Sequence, residues 1–198
     1  MLNVMLTGVG GQGTVLAAKV LAQAAQSRGW QVRTAETIGM AQRGGSVISH
    51  VRMGNLGEEV HSPLLSLGSA DLVIAFEPGE AARVLPYLAP GGVLVCASTA
   101  IQPVTAALST QAYAADDVIA GIRKALDGTG ARLVVVDDEA LIAQVGNRKA
   151  LNTVLLGSAL ATGCLPLSAE DIKAALAACV KPRFIELNLA ALDAALGA

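Results

Sequence analysis

The sequence predicts an α/β fold with a mixed, mostly parallel sheet flanked by helices. The first observation behind this is the opening unit. The apolar run "NVMLT" (3–7) is followed by the glycine turn "GVGGQG" (8–13) and the helical stretch "TVLAAKVLAQAAQ" (14–26). A fully apolar run of strand length is what a central strand, buried on both faces, requires. The second observation is alternation: strand-length apolar runs at 70–78, 90–99 and 131–138 are separated by helical or crossover segments. The third is a shortage of chain. Only "IGMAQRGG" (38–45) separates the alternating stretches "QVRTAET" and "SVISHVRMG". A parallel pair needs a crossover of a dozen residues or more, so these two strands pair antiparallel and the sheet is mixed. The result is a Rossmann-like start with a hairpin insertion, organised as one domain over residues 1–198.

Taken in order, "LNVMLTG" (2–8) is the first strand, and residues about 14 to 27 form a helix that Gly29 stops. Residues 31–37 and 46–54 are the second and third strands, and "GNLGEE" (54–59) is a turn. "VHSPLLSLG" leads into the buried strand "ADLVIAFEP" (70–78), which proline closes. "GEAARVLPYL" (79–88) is a short helix and "PGGVLVCAST" (90–99) another buried strand. "IQPVTAALSTQAY" (101–113) crosses to the helix "ADDVIAGIRKALDG" (115–128), and "ARLVVVDD" (131–138) reads as a further central strand. Helices at about 138–145, 147–162, 169–178 and 183–196 complete the chain, with Ser168 and Asp171 spaced as a capping box for the third of them.

Composition narrows the function classes. Hydrophobic residues make up 53% and charged residues 15% of the chain, more apolar than an average soluble domain. No uninterrupted apolar run reaches the ~18 to 20 residues that cross a bilayer. The richest stretch, "ALNTVLLGSALATG", is broken by Asn152, Thr153, Ser158 and Thr162. The excess therefore predicts a well-buried sheet and an apolar face for a partner subunit. A net charge of −2, scattered Lys and Arg, and 3% aromatics argue against nucleic acid. No cationic segment precedes the first apolar run, so no signal peptide is expected, and the expected location is the cytoplasm. Cys96, Cys164 and Cys179 are widely spaced and form no C-x-x-C, so no iron–sulfur or zinc site is expected from this chain alone. Each is read as a small buried hydrophobe in a reducing compartment. The two histidines, His50 and His61, are too few for a metal site.

Gly8, Gly10 and Gly13 fit G-x-G-x-x-G, and Gly11 adds a fourth residue without a Cβ. A strand that turns sharply into a helix leaves the first N–H groups of that helix unpaired. Those donors and the positive end of the helix dipole form an anion site. The same glycines would also serve a purely packing role, letting helix and strand approach closely. Ligands of open α/β sheets sit at the carboxyl edge of the strands. At that edge the sequence places the glycine loop, Glu36, Glu77, Ser98 with Thr99, and Asp137 with Asp138. Glu36 lies about 23 residues after Gly13, where an acid takes a ribose hydroxyl in dinucleotide sites. The alternative for the acids is capping of the helices that follow. No Ser-His-Asp or Cys-His arrangement is suggested, so no catalytic side chain is expected.

Four segments carry a resemblance. "GVGGQGTVLAAKVLA" (8–22), "AETIGMAQRGGSVISHVRMG" (35–54), "ADLVIAFEPGEAARVLPYL" (70–88) and "GNRKALNTVLLGSALATG" (146–163) resemble the gamma subunit or domain of 2-oxoacid:ferredoxin oxidoreductases. Their order and spacing span nearly the whole chain, and the second is most similar to the small (beta) subunits of the indolepyruvate branch. The resemblance implies oxidative decarboxylation of a 2-oxoacid, an indolepyruvate or other arylpyruvate, to an acyl-CoA with electrons passed to ferredoxin. It implies that thiamine diphosphate and the iron–sulfur clusters reside in a large catalytic partner subunit, with coenzyme A as cosubstrate. The chain lacks clustered cysteines and a G-D-G thiamine signature, in keeping with that division. Carried over residue by residue, Gly8, Gly10, Gly11, Gln12, Gly13 and Thr14, with Glu36 and the loop Gln42, Arg43, Gly44 and Gly45, are the positions expected to meet coenzyme A phosphate or the large subunit.

Two other classes compete: an independent NAD(P)-dependent oxidoreductase using the glycine loop and Glu36, and a noncatalytic nucleotide-binding scaffold. The missing helix after the second strand and the lack of a substrate domain count against the first of these.

Overall fold

The elements follow in the order β1 (Leu2–Val9), α1 (Thr14–Ser27), β2 (Gln31–Ile38), β3 (Ser46–Gly54), β4 (Ala70–Ala75), α2 (Pro78–Val84), β5 (Leu88–Ala97), α3 (Ala115–Leu126), β6 (Arg132–Val136), α4 (Asp138–Val145), α5 (Leu151–Ala161), α6 (Ala169–Cys179) and α7 (Ile185–Leu196). They are seen in a computed structural model that describes residues 1–39, 45–101 and 113–198. The strands form one six-stranded sheet in the order β2-β3-β1-β4-β5-β6. β1, β4, β5 and β6 pair in parallel, while β3 pairs antiparallel with both β1 and β2. Among the described residues β3 is thus the only strand that runs against the rest, and the expected antiparallel insertion is in place.

The apolar character of β1 follows from its position. It is flanked by β3 and β4, and Val4, Met5 and Leu6 are fully enclosed. Successive side chains point to opposite faces. Val4 and Leu6 join a core with Leu72, Ile74, Val95 and residues of α1, α5, α6 and α7. Met5 joins the opposite core with Val73, Leu94, Cys96 and residues of α2 and α3. The sheet is therefore the middle of three layers.

Helix α5 explains the segment 150–163. Seven consecutive residues from Leu151 to Gly157 are buried, so the helix is enclosed around its circumference there, with Asn152 and Thr153 as its buried polar residues. A Cβ on Gly157 would stand 2.8 Å from Ala195 Cβ, and its absence lets α5 and α7 approach. The capping box at α6 is formed: Asp171 N–H donates to Ser168 Oγ at 3.1 Å and Ser168 N–H to Asp171 Oδ2 at 2.8 Å. No helix among the described residues is long and apolar enough to cross a membrane.

Three expectations need correction. The run 131–138 contributes β6, which is an edge strand and not a central one. Its outer side is open, and Val135 is 37% exposed. Cys164 and Cys179 are only half-buried, in contrast to Cys96. The segment 79–88 is not one helix, because α2 gives way to a 3-10 turn at Leu85–Tyr87 and β5 begins at Leu88.

Candidate functional site

The turn after β1 is built by glycine for two different reasons. Gly11 and Gly13 adopt φ of 103° and 85°, the left-handed region that side chains with a Cβ avoid. Gly8 is required by packing instead. A Cβ there would lie 2.8 Å from Gln12 Oε1, 2.9 Å from Phe76 Cβ and 3.0 Å from Thr14 Oγ1. Gln12 braces the turn, because its Oε1 accepts from Val9 N–H at 2.7 Å and its Nε2 donates to the Phe76 carbonyl at 2.8 Å. Both polar ends of Gln12 are therefore engaged within the fold.

The N-terminus of α1 is left without a protein cap. Gly13 offers no side chain, and no acidic residue stands in the first turn. Thr14 is buried and its Oγ1 has no partner among the described residues. The N-cap Gly13 and Leu16 of the first turn line a cleft of about 490 Å³, so the positive end of the helix dipole lies at its edge. The opposite wall of this cleft comes from the start of α5 and the 3-10 turn before it, with Arg148, Lys149 and Asn152. No acidic residue lines it among the described residues. Asn152 is 4% exposed and packs on Gly13, whose missing Cβ would lie 3.2 Å from the Asn152 side chain.

Arg148 and Lys149 were not singled out from the sequence. The signal available was electrostatic: two adjacent cations at a helix start, where the dipole favours anions.

The other side of the same turn is apolar. A cleft of about 480 Å³ runs along Val9, Val15, Leu16 and Val47, with Thr14 and Lys19 as its polar lining residues. Val15 is 41% exposed and Ile38, paired with Val47 across β2 and β3, is 60% exposed. The second glycine-rich loop emerges here. Gly10 N–H donates to the Gly45 carbonyl at 2.8 Å, and Gly39 N–H to the Ser46 carbonyl at 2.9 Å. Gly45 is thereby brought against the first glycine turn. Gln42, Arg43 and Gly44 lie outside the described residues.

Glu36 is not brought to the turn. It is exposed on β2 opposite Ser49, and β3 stands between β2 and β1. Two strand spacings, about 9 to 10 Å, separate its strand from β1. The remaining residues of the carboxyl edge hold the fold together. Glu77 caps α2 through Glu80 N–H at 2.9 Å and accepts the Tyr113 hydroxyl at 2.5 Å. Glu80 in turn accepts the Ser46 hydroxyl at 2.5 Å. Asp137 caps α4, and the buried Asp138 accepts from Thr99 N–H at 3.0 Å and from the Ser98 hydroxyl at 3.2 Å. Burial, then the charge of Glu77, then that of Asp138, push the Cys96 thiol up to about 12. A thiol so high is inert at neutral pH. Burial and the bond to Glu77 raise the Tyr113 phenol above its ordinary range as well.

His50 is buried in β3, where Nδ1 accepts from Leu65 N–H at 3.3 Å. Among the described residues, no three His, Cys, Asp or Glu side chains come together as metal ligands. What the arrangement can do is bind: an anion on the cationic side of the turn and an apolar surface on the other.

The chain is 37% identical over 191 residues to indolepyruvate oxidoreductase subunit IorB of Thermococcus kodakarensis, covering 96% of this chain and 92% of that one. The gamma subunit of a keto/oxoacid ferredoxin oxidoreductase from Geobacter sulfurreducens shares the fold with a TM-score of 0.70 at 24% identity, covering 100% of this chain and 97% of that one. A 2-oxoglutarate:ferredoxin oxidoreductase from Magnetococcus marinus, solved with 2-oxoglutarate, coenzyme A and succinyl-CoA bound, matches with a TM-score of 0.73 at 18% identity. There the match covers 99% of this chain and 30% of the longer one. The profile of the family described as pyruvate ferredoxin/flavodoxin oxidoreductase matches residues 3–198, and the chain belongs to that family.

Proposed function

We propose that this chain is the small, gamma-type subunit of a 2-oxoacid:ferredoxin oxidoreductase of the indolepyruvate type, folded as one domain and acting in the cytoplasm. Its role is to complete a binding surface, not to perform bond chemistry. The observation that carries the assignment of faces is the pair of unlike clefts on the two sides of one glycine turn. The cationic side, with the α1 N-terminus, suits a phosphate of coenzyme A. The apolar side, with Val15 and Ile38 exposed and the Gly45 end of the second loop beside it, suits the large subunit. Gln42, Arg43 and Gly44 continue from that end, and Glu36 falls on the same exposed β2 margin.

Thiamine diphosphate and iron–sulfur clusters, held by the large subunit, would supply decarboxylation and one-electron transfer to ferredoxin. The cysteines of this chain do not form a ligand set for a cluster, since Cys96 is sealed in the core, Cys164 lies in the loop between α5 and α6, and Cys179 is the last residue of α6. No step of the reaction is therefore assigned to its side chains. The competing NAD(P) reading requires an acid on the strand next to β1. Here β3 occupies that place, and Glu36 is one strand too far.

The test is purification of the native protein followed by identification of what accompanies it. A stoichiometric large subunit bearing thiamine diphosphate, iron and sulfide supports the proposal. A chain that purifies alone and oxidises a substrate with NAD overturns it.

A further inference from the structure

Strand β6 leaves one margin of the sheet unpaired. Ser98 N–H donates to the Val136 carbonyl at 2.9 Å, so Val136 aims its backbone groups inward at the β5 side. Successive strand residues aim these groups to opposite sides, so Leu133 and Val135 aim theirs outward. No loop or turn backbone meets those outward groups among the described residues. Edge strands are normally blunted by Lys, Pro, a bulge or a covering element. The β6 sequence "RLVVV" has no Lys or Pro, keeps an unbroken register with β5, and leaves Val135 37% exposed. A groove of about 340 Å³ lies beside it, bordered by Val134, Val136, Ala140, Gln144, Ser158 and Ala161.

The charges along this margin are polarised. Helix α3 joins the parallel strands β5 and β6, so it runs opposite to β6, and it packs on that strand. Arg132 starts β6, and the end of α3 near it carries Arg123 and Lys124. Asp137 follows the other end of β6, where the start of α3 carries Asp116 and Asp117. Each of these side chains is exposed, and none is in an ion pair among the described residues. Asp127 stands at the cationic end and offsets part of it.

We propose that β6 is the contact between two copies of this chain, paired antiparallel about a two-fold axis that passes through the seam at Val134, normal to the sheet. In that register Leu133 lies opposite the second copy's Val135. Both residues aim their backbone groups outward, so they exchange both hydrogen bonds, and the two-fold repeats the exchange. Their side chains meet as an apolar cross-strand pair. The two-fold also sets the cationic end of each margin against the anionic end of the other, so one patch is its own complement. A parallel pairing of two copies would set like charge against like. An unrelated strand would satisfy the backbone, but only the antiparallel copy is bound to carry the matching order of charges. The proposal does not depend on the subunit assignment. β2 and β6 are opposite edges of the sheet, so a large subunit at the β2 margin leaves this one open.

The experiment is sedimentation equilibrium of the full-length chain over a concentration series, at low and at high salt. The wild-type chain forms a dimer, and salt weakens it. Val135→Lys sets a charge on the seam and gives a folded monomer, because the side chain it replaces is exposed. Arg123→Glu with Lys124→Glu weakens the dimer at least about tenfold, because like charges then meet across the seam. Asp116→Lys with Asp117→Lys does the same. Mixing these two double variants restores a dimer that contains one of each, which a folding defect or a contact elsewhere would not produce. All four positions are exposed on α3, so the mixing test stands even if Val135→Lys fails to fold. A wild-type chain that stays monomeric throughout, a dimer that Val135→Lys leaves intact, or double variants that do not recover on mixing overturns the proposal. A monomeric chain whose binding to the large subunit is lost in Val135→Lys also overturns it, and gives this edge to that subunit.

Discussion

Gly10 donates its backbone N–H to the carbonyl oxygen of Gly45 at 2.8 Å, across 35 residues of sequence. That bond joins the turn after β1 to the end of the loop before β3. It exists because β3 runs beside β1 in reverse, with Val9 opposite Ser46. The antiparallel insertion thereby places Gly45 on the first glycine turn. A plain βαβ unit would have put β2 there instead.

The turn tolerates little change at its base. Gly8→Ala is expected to destabilise the protein by about 1 to 3 kcal/mol, the range for overpacking, because Phe76 and the braced Gln12 block the new methyl. Gly11→Ala meets open space but is held at φ 103°, so it costs about 1 to 2 kcal/mol in backbone strain alone. Denaturant unfolding of both variants distinguishes the causes. Gly8→Ser should be at least as costly as Gly8→Ala, whereas Gly11→Asn should recover part of the loss. A Gly8→Ala protein as stable as wild type contradicts the packing argument.

Much of this was legible in the sequence, and the illegible parts have physical reasons. The insertion could be read because 38–45 is too short for a crossover helix. β6 was misread because "LVVV" is apolar on both faces, and composition reports coverage of faces and says nothing of whether a strand has neighbours on both edges. Arg148, Lys149 and Asn152 were out of reach in a different way. They lie more than 130 residues from Gly13, and only the packing of α5 against α1 sets them in one cleft. The same holds for Tyr113 and Glu77, which α2 and the chain leading into α3 bring together.

His50 makes stability depend on pH. Burial lowers its pKa below 6.5, so the folded state prefers the neutral ring that accepts from Leu65 N–H. Its contribution is fully present above the unfolded pKa of about 6.5 and is lost as pH falls through that value toward the lowered folded one. His50→Gln can still accept that bond but does not titrate. Melting temperatures measured from neutral to mildly acidic pH should fall faster for wild type than for His50→Gln. Parallel curves would show that His50 does not titrate with unfolding.

Arg43→Ala should fold normally and impair the assembled enzyme. Arginine can pair with a phosphate or a carboxylate through two parallel bonds, and loss of a partly buried contact of that kind costs about 1.5 to 3 kcal/mol. Subunit affinity and the apparent KM for coenzyme A are to be measured separately, with melting temperature as the folding control. A change in affinity alone assigns Arg43 to the interface, and a change in KM alone assigns it to the ligand. If both stay within about twofold of wild type, below the contact's expected worth, Arg43 is a solvated loop residue.

The central claim is that this chain completes a catalytic partner without catalysing anything itself. The most direct measurement is reconstitution: the large subunit and this chain are purified separately, and ferredoxin reduction by an arylpyruvate with coenzyme A is followed for each alone and for the mixture. Negligible turnover by this chain is expected, with turnover that rises on titrating it into the large subunit and saturates at a fixed ratio. Full activity of the large subunit without this chain, or 2-oxoacid oxidation by this chain alone, would contradict it.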